Sequence, residues 1–285
     1  MQRSAFVWKT ALAVVAFAAV SWLAPAASAQ STLEKAKKAG TIKVGYAGEV
    51  PWAYLGPDGK LTGSDPEIAK VIFKKLGVNN VDAVLVEWSG LIPGLKAGRF
   101  DVIAAGMYIK PERCKEVLFA DPHAKVGWGL LVKKGNPKKL HSYADIAKDK
   151  TAKVSTMSGS SDLPIMRREG IPEDRILGVP DVAGQIAAVK TGRVDAASHN
   201  PLTVMEMVKM AGAEFERAAP FKLADKDMGY PAFVFRKDDK AFRDEFNKHL
   251  KDMITKKEIL KVGQPFGFTE AELTTNEAAE KLCAG

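Results

Sequence analysis

The sequence predicts an α/β fold of two lobes joined by two crossing strands. Strand-like and helix-like segments alternate through most of the chain, which is the pattern of sheets whose strands are connected by helices. In addition, two extended stretches of similar character, 127–135 and 230–236, stand before and after the second alternating unit. The simplest arrangement lets the chain cross into a second lobe and then return to the first.

The length of the chain agrees with two lobes, because about 255 residues remain after an N-terminal leader and that is long for one core. We predict a first lobe made of residues 30–131 plus 232–285 and a second lobe made of residues 132–231. No internal repeat or low-complexity run is present in the sequence.

The first 29 residues have the features of a signal peptide. Arg3 and Lys9 give a positive start, an apolar run covers 11–23, and the small-residue motif 27–29 ends the segment. The apolar run is shorter than the roughly 20 residues of a membrane-spanning helix, which disfavours the alternative of an uncleaved anchor. We expect cleavage after Ala29 and export to the periplasm.

The first lobe is predicted to be a parallel sheet with connecting helices. Its elements are, in order, strand 42–46, helix 64–76, strand 83–87, helix 91–95, strand 100–105 and a helix that begins at Pro111. The first helix shows the signals used: a capping residue precedes Pro66, apolar residues recur at helical spacing, and Gly77 ends the helix. The strand 100–105 is apolar, as a buried parallel strand should be.

The second lobe repeats this alternation, and a long helix follows the return strand. The predicted elements are strand 153–156, helix 162–168, helix 182–191, strand 194–198, helix 202–210, the extended stretch 230–236 and helix 240–256. Two-strand connections of this kind permit the lobes to close around a ligand.

Five residues combine into a candidate ligand site in the first lobe. Each lies at the end of a predicted strand or in the loop after it: Glu49, Trp52, Trp88, Tyr108 and Arg113. Because the carboxyl ends of strands in an α/β sheet converge on one crevice, residues far apart in sequence can meet there. Taken singly, each has a plainer explanation, namely a core aromatic, a solvated loop acid or an exposed arginine.

The chemistry of these five residues suits a small zwitterion. Arg113 lies in the first turn of a helix, where a carboxylate would gain a bidentate guanidinium and free backbone N–H groups. The aromatic rings could each contribute about 0.5–2 kcal/mol to holding a cation. Glu49 would then be the charge partner and hydrogen-bond acceptor of that cation. The sequence therefore predicts a binding protein.

The sequence contains no pattern typical of a catalytic site or a metal site. The four histidines, His123, His141, His199 and His249, lack paired metal-ligand spacing. The segment 158–161 lacks the lysine and glycine spacing of a phosphate loop. We predict no catalytic residue, metal or cofactor, and we expect Ser161 to donate a hydrogen bond to a ligand carboxylate from the second lobe.

Charge and cysteine content indicate which partners and which cellular compartment to expect. The formal net charge is +8 and becomes +6 without the two leader cations, and the basic residues are scattered in short pairs. No basic stripe with interleaved aromatics is present, so we expect no nucleic-acid partner. Cys114 and Cys283 are the only cysteines, and in an oxidising compartment they are candidates for a disulfide that would tie the tail to the first lobe.

The sequence resembles the family 3 extracellular solute-binding proteins of ABC importers. The motifs that carry the resemblance are residues 42–46, 61–69, 92–101 and 111–113. Within that family, residues 104–115, 265–269 and the Leu282-Cys283 pair resemble the branch that binds ectoine and hydroxyectoine. The resemblance extends over essentially the whole mature chain and implies a type II two-lobed periplasmic binding protein fold.

The resemblance also implies roles for the candidate residues. It places the ligand carboxylate on Arg113, an aromatic box of Trp52, Trp88 and Tyr108 around the cation, and Glu49 on the amidinium side. The implied partners are a small zwitterionic ligand and the membrane permease of the importer. We expect a monomer and no enzymatic activity.

Departures from the family pattern leave alternatives open. Amino-acid binders carry an aspartate for the α-ammonium where this chain has Asn200, and threonines where it has Tyr108 and Lys110. We therefore expect Asn200 among the ligand contacts and a cation that is delocalised or alkylated. The alternatives are another zwitterion, such as a betaine or an amino acid, or a dehydratase in which Glu49 acts as a general acid.

Overall fold

The computed structural model describes residues 31–273 and 275–285, and the predicted leader lies outside this part of the chain. Two five-stranded sheets and one small hairpin contain all the strands of the described residues. The strands are, in chain order, β1 (Thr41–Tyr46), β2 (Tyr54–Leu55), β3 (Leu61–Thr62), β4 (Asn80–Leu85), β5 (Val102–Ile103), β6 (Leu118–Phe119), β7 (Gly129–Lys133), β8 (Val154–Met157), β9 (Ile176–Val179), β10 (Ala196–His199), β11 (Phe215–Arg217) and β12 (Val234–Phe235).

The helices cover the faces of these sheets. They are, in chain order, α1 (Thr32–Ala39), α2 (Ser64–Lys75), α3 (Leu91–Lys96), α4 (Pro111–Cys114), α5 (Tyr143–Lys148), α6 (Leu163–Arg168), α7 (Val182–Lys190), α8 (Pro201–Ala211), α9 (Lys240–Thr255), α10 (Glu258–Gly263), α11 (Glu270–Leu273) and α12 (Ala279–Ala284). None of the helices in residues 31–273 and 275–285 has both the length and the apolar character needed to cross a membrane.

The first sheet has the strand order β4-β1-β5-β12-β6. Strands β4, β1 and β5 are parallel, whereas β12 runs antiparallel to both β5 and β6. The carboxyl ends of three neighbouring strands therefore lie at one edge, and the loops that follow them carry the predicted site residues.

The second sheet has the strand order β11-β7-β10-β8-β9. Strands β10, β8 and β9 are parallel, and β7 runs antiparallel to β10 and β11. As in the first sheet, the loops after the parallel strands start at a shared edge, which brings the segments after β8 and β10 together.

Two chain segments connect the sheets, as the sequence predicted. One runs from β6 to β7 and the other from β11 to β12, and they are hydrogen-bonded to each other where Val126 and Gly229 exchange backbone N–H···O bonds of 2.9 and 2.7 Å. The expected two-lobed α/β fold with two crossing strands is thereby confirmed. The lobe boundaries at 131/132 and 231/232 stay a prediction.

Several element bounds differ from those predicted. Strand β5 contains only Val102 and Ile103 because its backbone pairs with β1 over these two residues and with β12 at Ile103 alone. Helix α2 begins at Ser64, and its N-cap is Gly63, which offers no side chain to the first turn. The prediction of a capping side chain directly before Pro66 was therefore wrong, since Pro66 is the third helical residue.

The long helix α9 packs the C-terminal part of the chain onto the first sheet. Phe246 lies fully buried among Phe73, Phe233 and Phe235, with ring centroids 4.9–5.6 Å apart. Edge-on and tilted aromatic contacts of this kind add to the stabilisation that burial provides. The return of the chain through β12 thus completes the core of the first lobe.

Candidate ligand-binding site

The loops at the carboxyl ends of the two sheets meet around a small cavity of about 20 Å³. Its lining residues come from both sheets and are Glu49, Trp88, Gly106, Tyr108, Trp128, Met157, Ser160, Ser161, His199 and Asn200. Five of these are predicted contacts, namely Glu49, Trp88, Tyr108, Ser161 and Asn200. Gly106, Trp128, Met157, Ser160 and His199 were not predicted as contacts, and the predicted contact Arg113 is not among the lining residues. The described lining is aromatic and polar, with one carboxylate.

Glu49 presents an unpartnered carboxylate oxygen in this lining. Its backbone carbonyl accepts a hydrogen bond from Ala53, which fixes the turn after β1, and its side chain is only 4% exposed. Among the described residues Oε1 has no hydrogen-bond partner, and Oε2 lies 3.3 Å from His199 Nε2. An ionised carboxylate that is buried in this way is costly unless a cation or N–H group meets it.

Arg113 and Trp88 connect the first sheet to the loop after β8. The Arg113 guanidinium donates to the carbonyl of Tyr108 at 2.9 Å and to the carbonyl of Gly159 at 3.0 Å. It also lies 5.6 Å from the centre of the Trp88 ring, whose Nε1–H points to the same Gly159 oxygen at 3.4 Å. Burial lowers the pKa of Arg113 to about 10.

Tyr108 and Trp128 form an aromatic corner of the cavity. Their ring centroids lie 5.3 Å apart in an edge-to-face arrangement, and both rings are buried. Burial, followed by the charge of Glu49, raises the pKa of Tyr108, so this hydroxyl stays neutral. The Trp128 Nε1–H has no hydrogen-bond partner among the described residues. The corner thus offers ring faces and edges together with a free donor.

Trp52, which was predicted for the aromatic box, does not line this cavity. It is 1% exposed, packs edge-on against Phe268 at 4.8 Å, and lies directly beneath Gly106. Gly106 has a φ of +66°, and a Cβ on it would lie 2.6 Å from the Trp52 ring, so only glycine fits between the indole and the cavity. Trp52 therefore supports the floor of the site from below.

A buried contact between a carboxylate and an imidazole holds the same floor. Asp65 accepts a hydrogen bond from the backbone N–H of Gly106 at 2.7 Å and lies 2.9 Å from His123 Nε2, and both side chains are fully buried. Because a buried carboxylate needs several hydrogen-bond donors, Asp65 fixes the Gly106 loop at the place where it lines the cavity.

The wall from the second lobe rests on a hydrogen-bonded network centred on Asp162. Its carboxylate accepts from Thr156 Oγ1 and Ser198 Oγ, each at 2.6 Å, and Ser198 in turn lies 2.7 Å from the Tyr143 hydroxyl. Burial raises the pKa of Asp162, and the Ser198 and Thr156 hydrogen bonds oppose that rise. The network fixes the start of α6 directly after Ser161, which lines the cavity.

Asn200 also lines the cavity, but its amide is engaged in capping α8. Oδ1 accepts from the backbone N–H of Thr203 at 2.9 Å, and Nδ2 contacts His199 Nδ1 at 2.8 Å and Thr203 Oγ1 at 3.0 Å. The Asn200-Pro201 sequence is itself a helix-start signal, with the capping residue directly before a proline at the first helical position. Lys110, whose orientation was open, does not line the cavity.

The lining residues that were not predicted have only weak local signals in the sequence. Trp128 stands at the start of the first extended stretch, and His199 ends β10 just before the Asn-Pro cap, so both sit where a strand meets the shared edge.

In residues 31–273 and 275–285 no group of three or more His, Cys, Asp or Glu side chains is arranged to hold a metal ion. The predicted roles of the lining residues as ligand contacts stay predictions.

Comparison with known proteins identifies relatives along almost the full chain. The profile of the "Bacterial extracellular solute-binding proteins, family 3" matches residues 42–268. A probable amino-acid ABC transporter periplasmic-binding protein of Sinorhizobium fredii, y4tE, is 34% identical over 97% of this chain and 97% of its own. The L-cystine-binding protein TcyJ of Escherichia coli is 31% identical over 73% of this chain and 75% of its own.

Solved structures give the same fold. EhuB in complex with hydroxyectoine matches with a TM-score of 0.81 and 36% identity, covering 89% of this chain and 98% of EhuB. The ancestral amino-acid-binding protein AncCDT-1, a precursor of cyclohexadienyl dehydratase, matches with a TM-score of 0.72 and 30% identity, covering 83% of this chain and 99% of its own. The profile match covers most of the chain, and the chain therefore belongs to family 3 of the bacterial extracellular solute-binding proteins.

Proposed function

We propose that this protein is the receptor of an ABC importer for ectoine and 5-hydroxyectoine. The observation that carries the proposal is the Glu49 carboxylate, which is buried in an aromatic-lined cavity with one oxygen unpartnered among the described residues. Such an oxygen calls for a ligand that brings N–H donors and positive charge. The cyclic amidinium of ectoine supplies both.

The general role follows from family membership. The chain is a solute-binding receptor of an ABC importer, and it works with the permease subunits of that importer. What the receptor binds is the part that we propose. Export through a signal peptide cut after Ala29 also belongs to the proposal, and N-terminal sequencing of the exported protein would test that position.

The distribution of charge around the cleft supports a zwitterion. Arg113 has five N–H donors, and two of them are engaged by backbone carbonyls, which leaves donors for a ligand carboxylate. Glu49 lines the same cavity as the rings of Trp88, Tyr108 and Trp128, all of which are buried, and Arg113 lies against the Trp88 ring. A ring-shaped, delocalised cation can lie against these rings while its N–H groups reach Glu49.

The relatives support two ligand classes. EhuB was solved with hydroxyectoine, whereas the relatives from Sinorhizobium fredii and Escherichia coli carry names that refer to amino acids and to L-cystine. The lining favours the first class for this chain, because Asn200 is a neutral amide whose donors are already engaged, and a primary ammonium would find one carboxylate in the lining, Glu49. A betaine remains a third option, since quaternary ammonium groups also suit aromatic rings.

Isothermal titration calorimetry on the mature protein tests the proposal. Ectoine, 5-hydroxyectoine, glycine betaine, L-cystine and a set of proteinogenic amino acids are titrated separately into ligand-free protein. We expect saturable binding of ectoine and hydroxyectoine that is at least about a hundredfold tighter than that of any other compound, a difference of about 2.7 kcal/mol. Tight binding of an amino acid or betaine without a response to ectoine contradicts the proposal.

The same samples separate binding from catalysis. We expect ectoine to be recovered unchanged after prolonged incubation with the protein, because the role proposed for Glu49 is to accept hydrogen bonds from the ligand. Conversion of any titrated compound into a new product, seen by mass spectrometry and lost in Glu49→Gln, would instead support the dehydratase-like alternative.

A further inference from the structure

His199 stands beside the Glu49 carboxylate, and the proposed function does not yet use it. Its side chain is about as buried as that of Glu49, and its Nε2 lies 3.3 Å from Glu49 Oε2. If this imidazole were protonated on both nitrogens, it would cancel the charge that the ligand cation needs. The protonation of His199 therefore decides what Glu49 can bind.

The orientation of the Asn200 amide is set by a backbone donor. The N–H of Thr203 can only donate, and it reaches one Asn200 side-chain atom at 2.9 Å, so that atom is the oxygen Oδ1. The other atom must then be Nδ2, which carries two hydrogens. It points them at Thr203 Oγ1 and at His199 Nδ1.

The protonation of His199 follows by the same reasoning. The backbone N–H of Asn200 also reaches His199 Nδ1, at 2.9 Å, and it too can only donate. His199 Nδ1 thus accepts from two donors and has no hydrogen of its own. A neutral imidazole with a bare Nδ1 carries its hydrogen on Nε2, which is the nitrogen that faces Glu49.

We infer that Asn200 holds His199 as the neutral Nε2–H tautomer and that His199 thereby determines specificity; this inference rests on the proposed function. The neutral N–H lies 3.3 Å from Glu49 Oε2, without the alignment of a hydrogen bond in this structure, and its dipole stabilises the carboxylate without cancelling its charge. Oε1, which is unpartnered among the described residues, remains as the oxygen for the ligand. His199 is a positioning residue in this scheme, because it acts on the ligand through Glu49.

One consequence concerns the shape of the cation. A guanidinium group binds a carboxylate best through two parallel N–H···O bonds that use both oxygens. His199 Nε2 lies 3.3 Å from Oε2 and crowds that oxygen, whereas Oε1 has no partner among the described residues, so the site favours a cation that needs a single acceptor. Ligands with a terminal guanidinium, such as L-arginine, are disfavoured although their charge is suitable.

The substitution Asn200→Asp tests the hydrogen-bond argument with little change in shape. An aspartate keeps the helix cap, because its carboxylate still accepts from the N–H of Thr203. It replaces the Nδ2 donor by an oxygen, which favours a hydrogen on His199 Nδ1 and leaves the backbone N–H of residue 200 as the one donor that opposes it. The imidazole then either presents the lone pair of Nε2 to Glu49 or becomes a cation that neutralises the Glu49 carboxylate. Both outcomes weaken binding of the ligand cation.

Long-range proton–nitrogen NMR spectra of the isotope-labelled mature protein, recorded without ligand at neutral pH, report the tautomer. A His199→Gln variant identifies the His199 signals. We expect the Nε2–H pattern in the wild type and a protonated Nδ1 in Asn200→Asp. We also expect the Kd for ectoine to rise by at least about tenfold in Asn200→Asp, which is the size of one charge-assisted hydrogen bond.

The control is Asp181→Asn, an exchange of the same two residue types at the N-cap of α7, where Asp181 accepts from the N–H of Gly184 at 2.7 Å. It should change neither the His199 signals nor the Kd. A protonated Nδ1 in the wild type, or unchanged ectoine binding in Asn200→Asp, overturns the inference. Binding of L-arginine as tight as that of ectoine overturns its specificity part.

If the proposed function is wrong, the binding and NMR experiments give a different combination of results. In that case the wild type does not bind ectoine, whereas the NMR spectra of the ligand-free protein still reveal which nitrogen of His199 carries the hydrogen. The tautomer is thus decided independently of the identity of the ligand.

Discussion

Arg113 combines three contacts that a lysine could not make together. Its guanidinium donates to the carbonyls of Tyr108 and Gly159 and lies over the ring of Trp88. These contacts use two of its five donors and fix the plane of the group, so the remaining donors are oriented before a ligand arrives. A planar, fixed cation of this kind suits a carboxylate that accepts two parallel hydrogen bonds.

Arg113→Lys should therefore weaken ligand binding although the charge is kept. We expect a loss of about 1.5–3 kcal/mol, or roughly ten- to a hundredfold in Kd, because the bidentate hydrogen bonds and the fixed orientation disappear. Titration calorimetry with ectoine measures the loss. The matched control is Arg99→Lys, at an exposed position, which should bind as the wild type does. A Kd unchanged in Arg113→Lys would remove Arg113 from the carboxylate side of the site.

Trp128 offers a test of the free donor in the aromatic corner. Trp128→Phe keeps an aromatic ring and removes the Nε1–H, which has no partner among the described residues. We expect ectoine binding to weaken by about tenfold if the ligand uses this donor, since one hydrogen bond to a charged group is worth about 1.5–3 kcal/mol. The thermal stability of the ligand-free protein should change little, because an unpartnered buried donor already costs free energy.

The comparison for this prediction is Trp52→Phe. Trp52 Nε1 is equally unpartnered, but the indole lies beneath Gly106 and not along the cavity. We expect the change in affinity to be smaller than for Trp128→Phe and the loss of stability to be larger, because Trp52 packs in the core. The reverse order would place Trp52 in the box, as the sequence resemblance implied.

Part of the cavity lining could be predicted from the sequence. Glu49, Trp88 and Tyr108 follow parallel strands of one sheet, and the convergence of such strand ends is a general rule, so their meeting could be expected. Trp52 follows the same strand as Glu49, yet it is turned into the core, which depends on the Gly106 loop that packs onto it. Packing between distant segments leaves no local trace in the sequence.

At the scale of the elements, α4 and α12 form a unit at the C-terminal end. A disulfide joins Cys114 of α4 to Cys283 of α12, whose Cα atoms lie 5.7 Å apart. Asp121 adds a second connection, because its carboxylate accepts from the backbone N–H of Ala279 at 2.8 Å and from Asn247 of α9. The tail is thus held to the helix that carries Arg113.

Removal of the disulfide should destabilise the protein measurably. For the double variant Cys114→Ser/Cys283→Ser we expect the free energy of unfolding to fall by about 2–5 kcal/mol, since a cross-link across 169 residues restricts the unfolded chain strongly. Urea unfolding followed by tryptophan fluorescence measures the difference. Reduction of the wild type should reproduce it. An unchanged unfolding midpoint in both experiments would mean that Asp121 and the helix contacts hold the tail on their own.

Element types were predicted more reliably than element bounds. The alternation that fixes strand β1 and helix α9 is local, and both occur within a residue of their predicted limits. Strand β5 is shorter than its apolar run because a strand extends only as far as its neighbours pair with it, and β12 reaches it at a single residue. Pairing partners come from distant parts of the chain, so the bounds could not be read locally.

At the scale of the whole molecule, contacts around the cavity connect the loops of the two sheets. Arg113 and Trp88 both donate to Gly159, and His199 faces Glu49, while the crossing segments are hydrogen-bonded to each other at Val126 and Gly229. A ligand between Arg113 and Glu49 would add contacts to both lobes only in this arrangement. Such a ligand shifts the population towards the closed form by its differential affinity for that form.

We therefore expect the mature protein to become more compact when it binds ectoine. Small-angle X-ray scattering should show a smaller radius of gyration with saturating ectoine than without it, because hinge closure brings the two lobes together. In Arg113→Ala the same concentration should leave the radius unchanged, since this variant loses both the ligand carboxylate contact and the hydrogen bond to Gly159. Arg99→Ala, away from the cleft, should close as the wild type does. Binding that calorimetry detects without any compaction would show that the receptor recognises its ligand without hinge motion, and the contacts to Gly159 would then have to persist in the ligand-free protein.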